Sequence, residues 1–171
     1  MSSIFVHLDD NFYIGTPKGE TPVDNITGKF VNSLREYLEQ NGMTVTAFAR
    51  RIGCLERCVA RWLNGTNIPS TEYVIKTADA LHWSVDYLFE RTDRAAFMPA
   101  AAPSSFSERL HALLSSCKEN KRTLARIWQV EPSALTKWLN GSRMPKPDTV
   151  YKLADFFNCS MDYLLGRTDI P

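Results

Sequence analysis

Displacing the chain by 76 residues lays it over itself: between 30–93 and 106–169, 21 of 64 aligned positions are identical. Arg61-Trp62-Leu63-Asn64-Gly65 returns as Lys137-Trp138-Leu139-Asn140-Gly141, Ala49 as Ala125 and Pro69 as Pro145. The end of the unit, Ser84-Val85-Asp86-Tyr87-Leu88 with Arg91-Thr92-Asp93, returns as Ser160-Met161-Asp162-Tyr163-Leu164 with Arg167-Thr168-Asp169. A repeat of this length is a whole domain copied, longer than the period of a solenoid. The two copies are therefore expected to share one fold, and any function must account for both. Each sits near the lower size limit for a self-sufficient core, so its apolar residues must pack efficiently.

The sequence divides into an extension over 1–27, a first domain over 28–93, an Ala/Pro linker over 94–105 and a second domain over 106–171. The formal charge of the whole chain is +1, which is not that of a strongly basic nucleic-acid binder. Its distribution says more. Residues 1–27 carry −3, residues 28–93 balance 8 basic against 8 acidic groups, and residues 106–169 carry +3. Within the copies the basic groups cluster. Residues 44–66 hold Arg50, Arg51, Arg57 and Arg61 against Glu56 alone. Residues 118–146 hold seven basic groups against Glu119 and Glu131. Local patches set the electrostatic footprint better than the total does.

Cys54, Cys58, Cys117 and Cys159 lack the paired spacing of a zinc or redox site, and reduced, mostly buried thiols are expected. His7 beside apolar residues reads as structural. No apolar run is long enough to span a membrane, and no secretory signal is apparent at the N-terminus. The sequence thus points to a cytoplasmic protein without metal or cofactor.

Taken in order, residues 3–15 read as two short β-prone runs around an Asp-Asp-Asn turn. A lone hairpin is marginal in water, so this one is expected to pack on the first copy or to pair with a second chain. Residues 16–27, rich in Thr, Pro, Gly and Asp, read as loop. Each copy then reads as five helices. Phe30, Leu34 and Leu38, and Phe106, Leu110 and Leu114, keep helical spacing. Asn41-Gly42 stops the first helix. Thr44 and Asn120 are placed to cap the second helices. Third helices are predicted over 56–63 and 132–139, each stopped by Asn-Gly. Fourth helices follow Pro69 and Pro145. Short fifth helices are capped by Ser84 and Ser160, with Asp86 and Asp162 in their first turns. The linker has the composition of a semi-rigid spacer, reaching roughly 37 Å if fully extended in polyproline form.

Helix, tight turn, helix, with a small residue at the crossing, is the helix-turn-helix pattern. Ala49, Gly53 and Val59 fit it in the first copy, and Ala125 and Leu135 in the second. With Trp62-Leu63-Asn64-Gly65, Pro69 and Ser84-Val85-Asp86-Tyr87-Leu88 added, both copies closely resemble the five-helix, all-α domain of the Cro/phage-repressor (XRE) family. The resemblance covers both repeats and implies a DNA-binding transcriptional regulator, bacterial or phage-encoded and associated with the nucleoid. In that family the third helix lies in the major groove. The matching positions for base contact are Glu56, Arg57 and Arg61, then Ser133, Thr136 and Lys137. Arg forks onto guanine, Glu accepts from cytosine and Thr meets a thymine methyl. Asn64, Gly65 and Thr66, and Lys121, Asn140, Gly141, Ser142 and Arg143, match positions that meet phosphate. Trp62 and Trp138 are expected in the core. The sequence departs from the family at Leu55 and Glu131, where Ser or Thr often caps the third helix. It departs again at Val45 and Lys121, where Gln often contacts phosphate, and at Gln129, where Gly is expected in the turn.

The partner implied is double-stranded DNA, with a homodimer formed through the N-terminal extension or the fifth helices, and no membrane. The alternative is a protein-interaction or antitoxin-like scaffold that keeps the fold. It draws on the near-zero total charge and the aromatic extension with Phe5, Phe12 and Tyr13. No catalytic triad, carboxylate pair or phosphate-binding glycine loop is visible, so no enzyme is predicted.

Overall fold

The computed structural model describes residues 22–171. The predicted hairpin, and with it the homodimer route through the extension, lies outside the described residues. The first copy comprises α1 (Pro22–Gln40), α2 (Val45–Arg51), α3 (Glu56–Leu63), α4 (Thr71–Leu81) and α5 (Val85–Leu88). The second repeats the series as α6 (Phe106–Ser115), α7 (Lys121–Ile127), α8 (Pro132–Leu139), α9 (Pro147–Phe156) and α10 (Met161–Leu164). No strand occurs among the described residues. The fold is all-α, one five-helix unit used twice.

One expectation is corrected. Residues 22–27 are helix, not loop. Pro22, at the first helical position, lacks an N–H that the helix start would leave unpaired anyway. Ile26, 7% exposed, extends the buried stripe of Phe30, Leu34 and Leu38 by one turn.

The predicted punctuation is realised. Thr44 accepts from the Ala47 N–H at 3.2 Å, Asn120 from Thr123 at 3.0 Å, Ser84 from Tyr87 at 2.9 Å and Ser160 from Tyr163 at 3.0 Å. Each bond satisfies a donor that a helix start leaves orphaned, at about 1 kcal/mol. Leu55 and Glu131 cap nothing with their side chains. At the α2–α3 turn Gly53 takes φ 67°, and in the second copy Gln129 is held in the same left-handed region at φ 55°. That region crowds a Cβ, so Gln129→Gly is expected to raise stability by roughly 0.5–1 kcal/mol after glycine's entropy cost is counted. A urea unfolding curve with an unshifted or lower midpoint would show that the glutamine side chain offsets the strain.

Two cores result. Phe30, Leu34, Phe48, Val59, Leu88 and Phe89 are fully buried in the first. Leu110, Leu135, Val150, Leu153 and Leu164 are fully buried in the second. Burying a large apolar side chain is worth roughly 1.5–3 kcal/mol, and these contacts hold each third helix in place. Trp62 and Trp138 are buried at 3% and 4% exposure, and Trp62 meets Phe30 edge-on at 6.4 Å. Ala49 and Ala125 are buried on the second helices, which pack against the third helices in each copy.

The linker is not a free spacer. The Ser84 N–H donates to Ala95 O at 2.6 Å, Ala100 N–H to Arg167 O at 2.9 Å, and Ala101 N–H to the Asp169 carboxylate at 2.8 Å. Arg167 stacks on the Phe97 ring at 4.3 Å. Gly166, at φ 73°, lets the backbone of Ser104 approach so closely that a Cβ would sit 1.8 Å from its carbonyl oxygen. The segment is thus strapped across the end of the second copy.

The copies also join directly, through residues that the 76-residue offset maps onto one another. Arg91 bonds Asp86 of its own copy and Asp155 of the other at 2.6 Å. Arg167 bonds Asp162 of its own copy and Asp79 of the other at 2.7 Å. Arg91 also reaches Cys159 O at 3.4 Å, and Arg167 reaches Trp83 O at 3.2 Å. Asp162 accepts from the N–H groups of Val85 and Asp86 at 2.7 and 3.3 Å, and Asp86 accepts from that of Asp162 at 3.2 Å. Asp162 therefore receives two N–H groups, and Asp86 one, from the start of the opposite fifth helix. Residue i meets j and the counterpart of j meets the counterpart of i, which defines an isologous, two-fold contact. Burial pushes the Asp162 carboxyl up to about 6, with the Arg167 guanidinium opposing the rise and the Asp86 charge adding to it.

This contact involves the fifth helices, one of the two expected routes to a homodimer. Val85, Asp86 and Leu88, with Met161, Asp162 and Leu164, are buried against one another's copies and cores. The fifth helices meet inside one chain, with Tyr87 and Tyr163 left half-buried.

Candidate nucleic-acid interface

The short α3 is strongly two-sided. Val59 and Trp62 face the core, while Arg57 and Arg61, one turn apart, are exposed. Among the described residues no carboxylate pairs with either arginine. Glu56, at the helix start, is exposed but already engaged, accepting from the Thr46 hydroxyl at 2.7 Å. That bond ties the beginning of α2 to that of α3 through one carboxylate oxygen. Leu55, 57% exposed, stands just ahead of α3.

In α8, Leu135 and Trp138 are buried, and Ser133, Thr136 and Lys137 are exposed. Lys137 occupies the frame position of Arg61, and Ser133 that of Arg57. The Thr136 hydroxyl donates to Pro132 O at 3.2 Å, so its donor is used within the helix. Glu131 is exposed at the approach to α8.

The loops after the third helices bear on the phosphate positions. Gly65 N–H donates to Trp62 O, Thr66 N–H to Arg61 O, Gly141 N–H to Trp138 O and Arg143 N–H to Lys137 O, all within 2.9–3.2 Å. The Ser142 N–H donates to the Asn140 side chain at 3.0 Å. These backbone donors close the helix ends. Asn140 also accepts from the Ser142 hydroxyl at 2.7 Å, a clasp with no counterpart between Asn64 and Thr66. Lys121, in the first turn of α7, and Arg143 are exposed cations without a carboxylate partner among the described residues.

Sequence reasoning missed Arg35. It projects from α1 to donate to Leu63 O, at the end of α3, at 2.8 Å. With Asn32, Asn64 and Asn67 it lines a groove of about 550 Å³ between α1 and the loop after α3. His111, its counterpart, lies 3.2 Å from Leu139 O in the second copy. A basic residue at the same place in both copies was the available signal. A cation there also suits the negative end of a helix.

No described helix is long and apolar enough to cross a membrane. Comparison with curated proteins and with solved structures gives no match. A family model described as helix-turn-helix matches the chain twice, over residues 34–88 and 119–164, each time enclosing the second to fifth helices of one copy. Two matched units, each with its second and third helices packed together and a buried alanine on the second, place the chain in the XRE-type helix-turn-helix family of DNA-binding regulators, with the domain present in tandem.

Proposed function

We propose that the chain is a transcriptional repressor that occupies an operator and blocks polymerase, reading the major groove with α3 and α8. One observation carries this: Arg57 and Arg61 stand exposed, with no carboxylate partner among the described residues, on a helix whose other face is fixed in the core. A guanidinium fork matches the O6/N7 edge of guanine, and an exposed arginine with no carboxylate has no evident structural duty. Lys137 and Ser133 present a weaker version of the same face on α8. Lys121 and Arg143, with Asn64 and Thr66, supply the phosphate contacts that set register. The site of action is the cytoplasm, on the nucleoid.

The test is selection by the purified chain from a random-sequence duplex library. Enrichment of a defined motif supports a reader, and a pool that stays random sinks the proposal in favour of an interaction module. On an enriched duplex, Lys121→Ala and Arg143→Ala should each weaken binding evenly across sequences and lower the salt slope by about 1. A sequence-dependent loss would move either residue from phosphate to base.

A further inference from the structure

We infer that a single chain is a complete operator reader, and that its operator is an inverted repeat with two unlike halves. The inference rests on the DNA-reading proposal and goes beyond it in stating orientation, asymmetry and stoichiometry. The reciprocal bonds of Arg91 with Asp155 and of Arg167 with Asp79 relate the two copies by a two-fold axis inside the chain. Asp86 and Asp162, exchanging backbone donors, lie at its centre. Operator symmetry mirrors protein symmetry, and an axis of this kind turns one half-site end for end relative to the other. Direct repeats, which a loose linker would equally allow, are therefore disfavoured. The linker is itself bonded to the fifth-helix ends at Ser84 and Arg167, which holds the two copies in this one relation.

The halves differ because the reading faces differ. The dyad residues Asp79, Asp86 and Arg91 recur unchanged as Asp155, Asp162 and Arg167, whereas Glu56, Arg57 and Arg61 are replaced by Pro132, Ser133 and Lys137. A homodimer must read the same bases twice. Here the frame is symmetric and its two faces are free to specify different sequences. With the fifth helices buried against each other, a second chain finds no such surface to complete, so one chain fills one site.

The experiment uses the full chain and the motif enriched from the random duplex library. Expected are two dissimilar half-sites in opposed orientation, about 10 bp centre to centre, and one chain per duplex by sedimentation or native mass spectrometry. Replacing either half with a copy of the other should weaken binding by at least roughly tenfold, since a mismatched pair typically costs 1–3 kcal/mol. R57A with R61A should blur the motif in one half only, and S133A with K137A in the other only. A perfect palindrome holding two chains, or two halves in the same orientation, overturns the inference while leaving DNA reading intact. Absence of any motif overturns the DNA-reading proposal itself.

Discussion

Replacing Arg167 by alanine should lower the unfolding free energy by about 3–5 kcal/mol, the loss typical when one partner of a buried ion pair is removed. The Arg167 side chain is 8% exposed and its partner Asp162 2% exposed. Without the guanidinium, the Asp162 carboxylate keeps only the N–H groups of Val85 and Asp86 and faces the Asp86 charge at close range. The bond to Asp79 adds little to the cost, because that carboxylate is 59% exposed and well solvated. A pH dependence identifies the mechanism. Burial raises the Asp162 pKa to about 6 in the folded chain, above its unfolded value of 3.8, so this group favours folding most at low pH. That contribution is lost as pH rises through the folded pKa. Arg167 is what lowers the pKa, so its removal raises it further and widens the window. The variant should therefore lose more stability at pH 8 than at pH 5, measured by urea unfolding followed by circular dichroism. Lys76→Ala, at the exposed i,i+4 pair with Glu72, should leave the midpoint in place at both values. A loss at Arg167 below 1 kcal/mol, or one equal at both pH values, would remove the dyad from the account of stability.

Most of the helices were legible because their signals are local. Thr44, Asn120, Ser84 and Ser160 announce helix starts through bonds to donors three residues on, and Asn41-Gly42 announces a stop through a left-handed glycine at φ 56°. The start of α1 was misread because Thr, Pro, Gly and Asp over 16–27 resemble a loop in composition. The apolar register of Ile26 with Phe30 was the better guide. The dyad stayed hidden for a different reason. Arg91 and Asp155 lie 64 residues apart and Arg167 and Asp79 lie 88 apart, while periodicity reports only neighbours on one element. A clue existed in the repeat itself. The copies exchange most outward polar residues yet keep Asp79, Asp86 and Arg91, which a solvated surface gives no reason to keep. Composition likewise described the linker as a spacer, because its tethers are backbone bonds to Ser84, Arg167 and Asp169 and depend on tertiary placement.

The double replacement Arg57→Ala with Arg61→Ala should weaken binding to the selected duplex by roughly 30-fold to 10⁴-fold, taking 1–3 kcal/mol for each bidentate contact to guanine. Both side chains are exposed and lack carboxylate partners among the described residues, so folding should be almost unaffected. That separation matters, because a variant that binds poorly and melts early would say nothing about reading. Loss of charge alone would also weaken binding, through counterion release, on any sequence. Arg57→Lys with Arg61→Lys divides the two causes. Lysine keeps the charge and loses the planar fork. If the arginines read bases, the lysine variant keeps its affinity for random duplex but loses discrimination in the half-site facing α3. If they serve only as phosphate cations, it binds the selected duplex as the parent does and the base-reading role of α3 falls. Glu56 sharpens the comparison, since the Thr46 hydroxyl already holds one of its oxygens. Glu56→Gln keeps that acceptor and removes the charge. It should therefore change which base is favoured beside the Arg57 contact while leaving the hold of α2 on α3 in place.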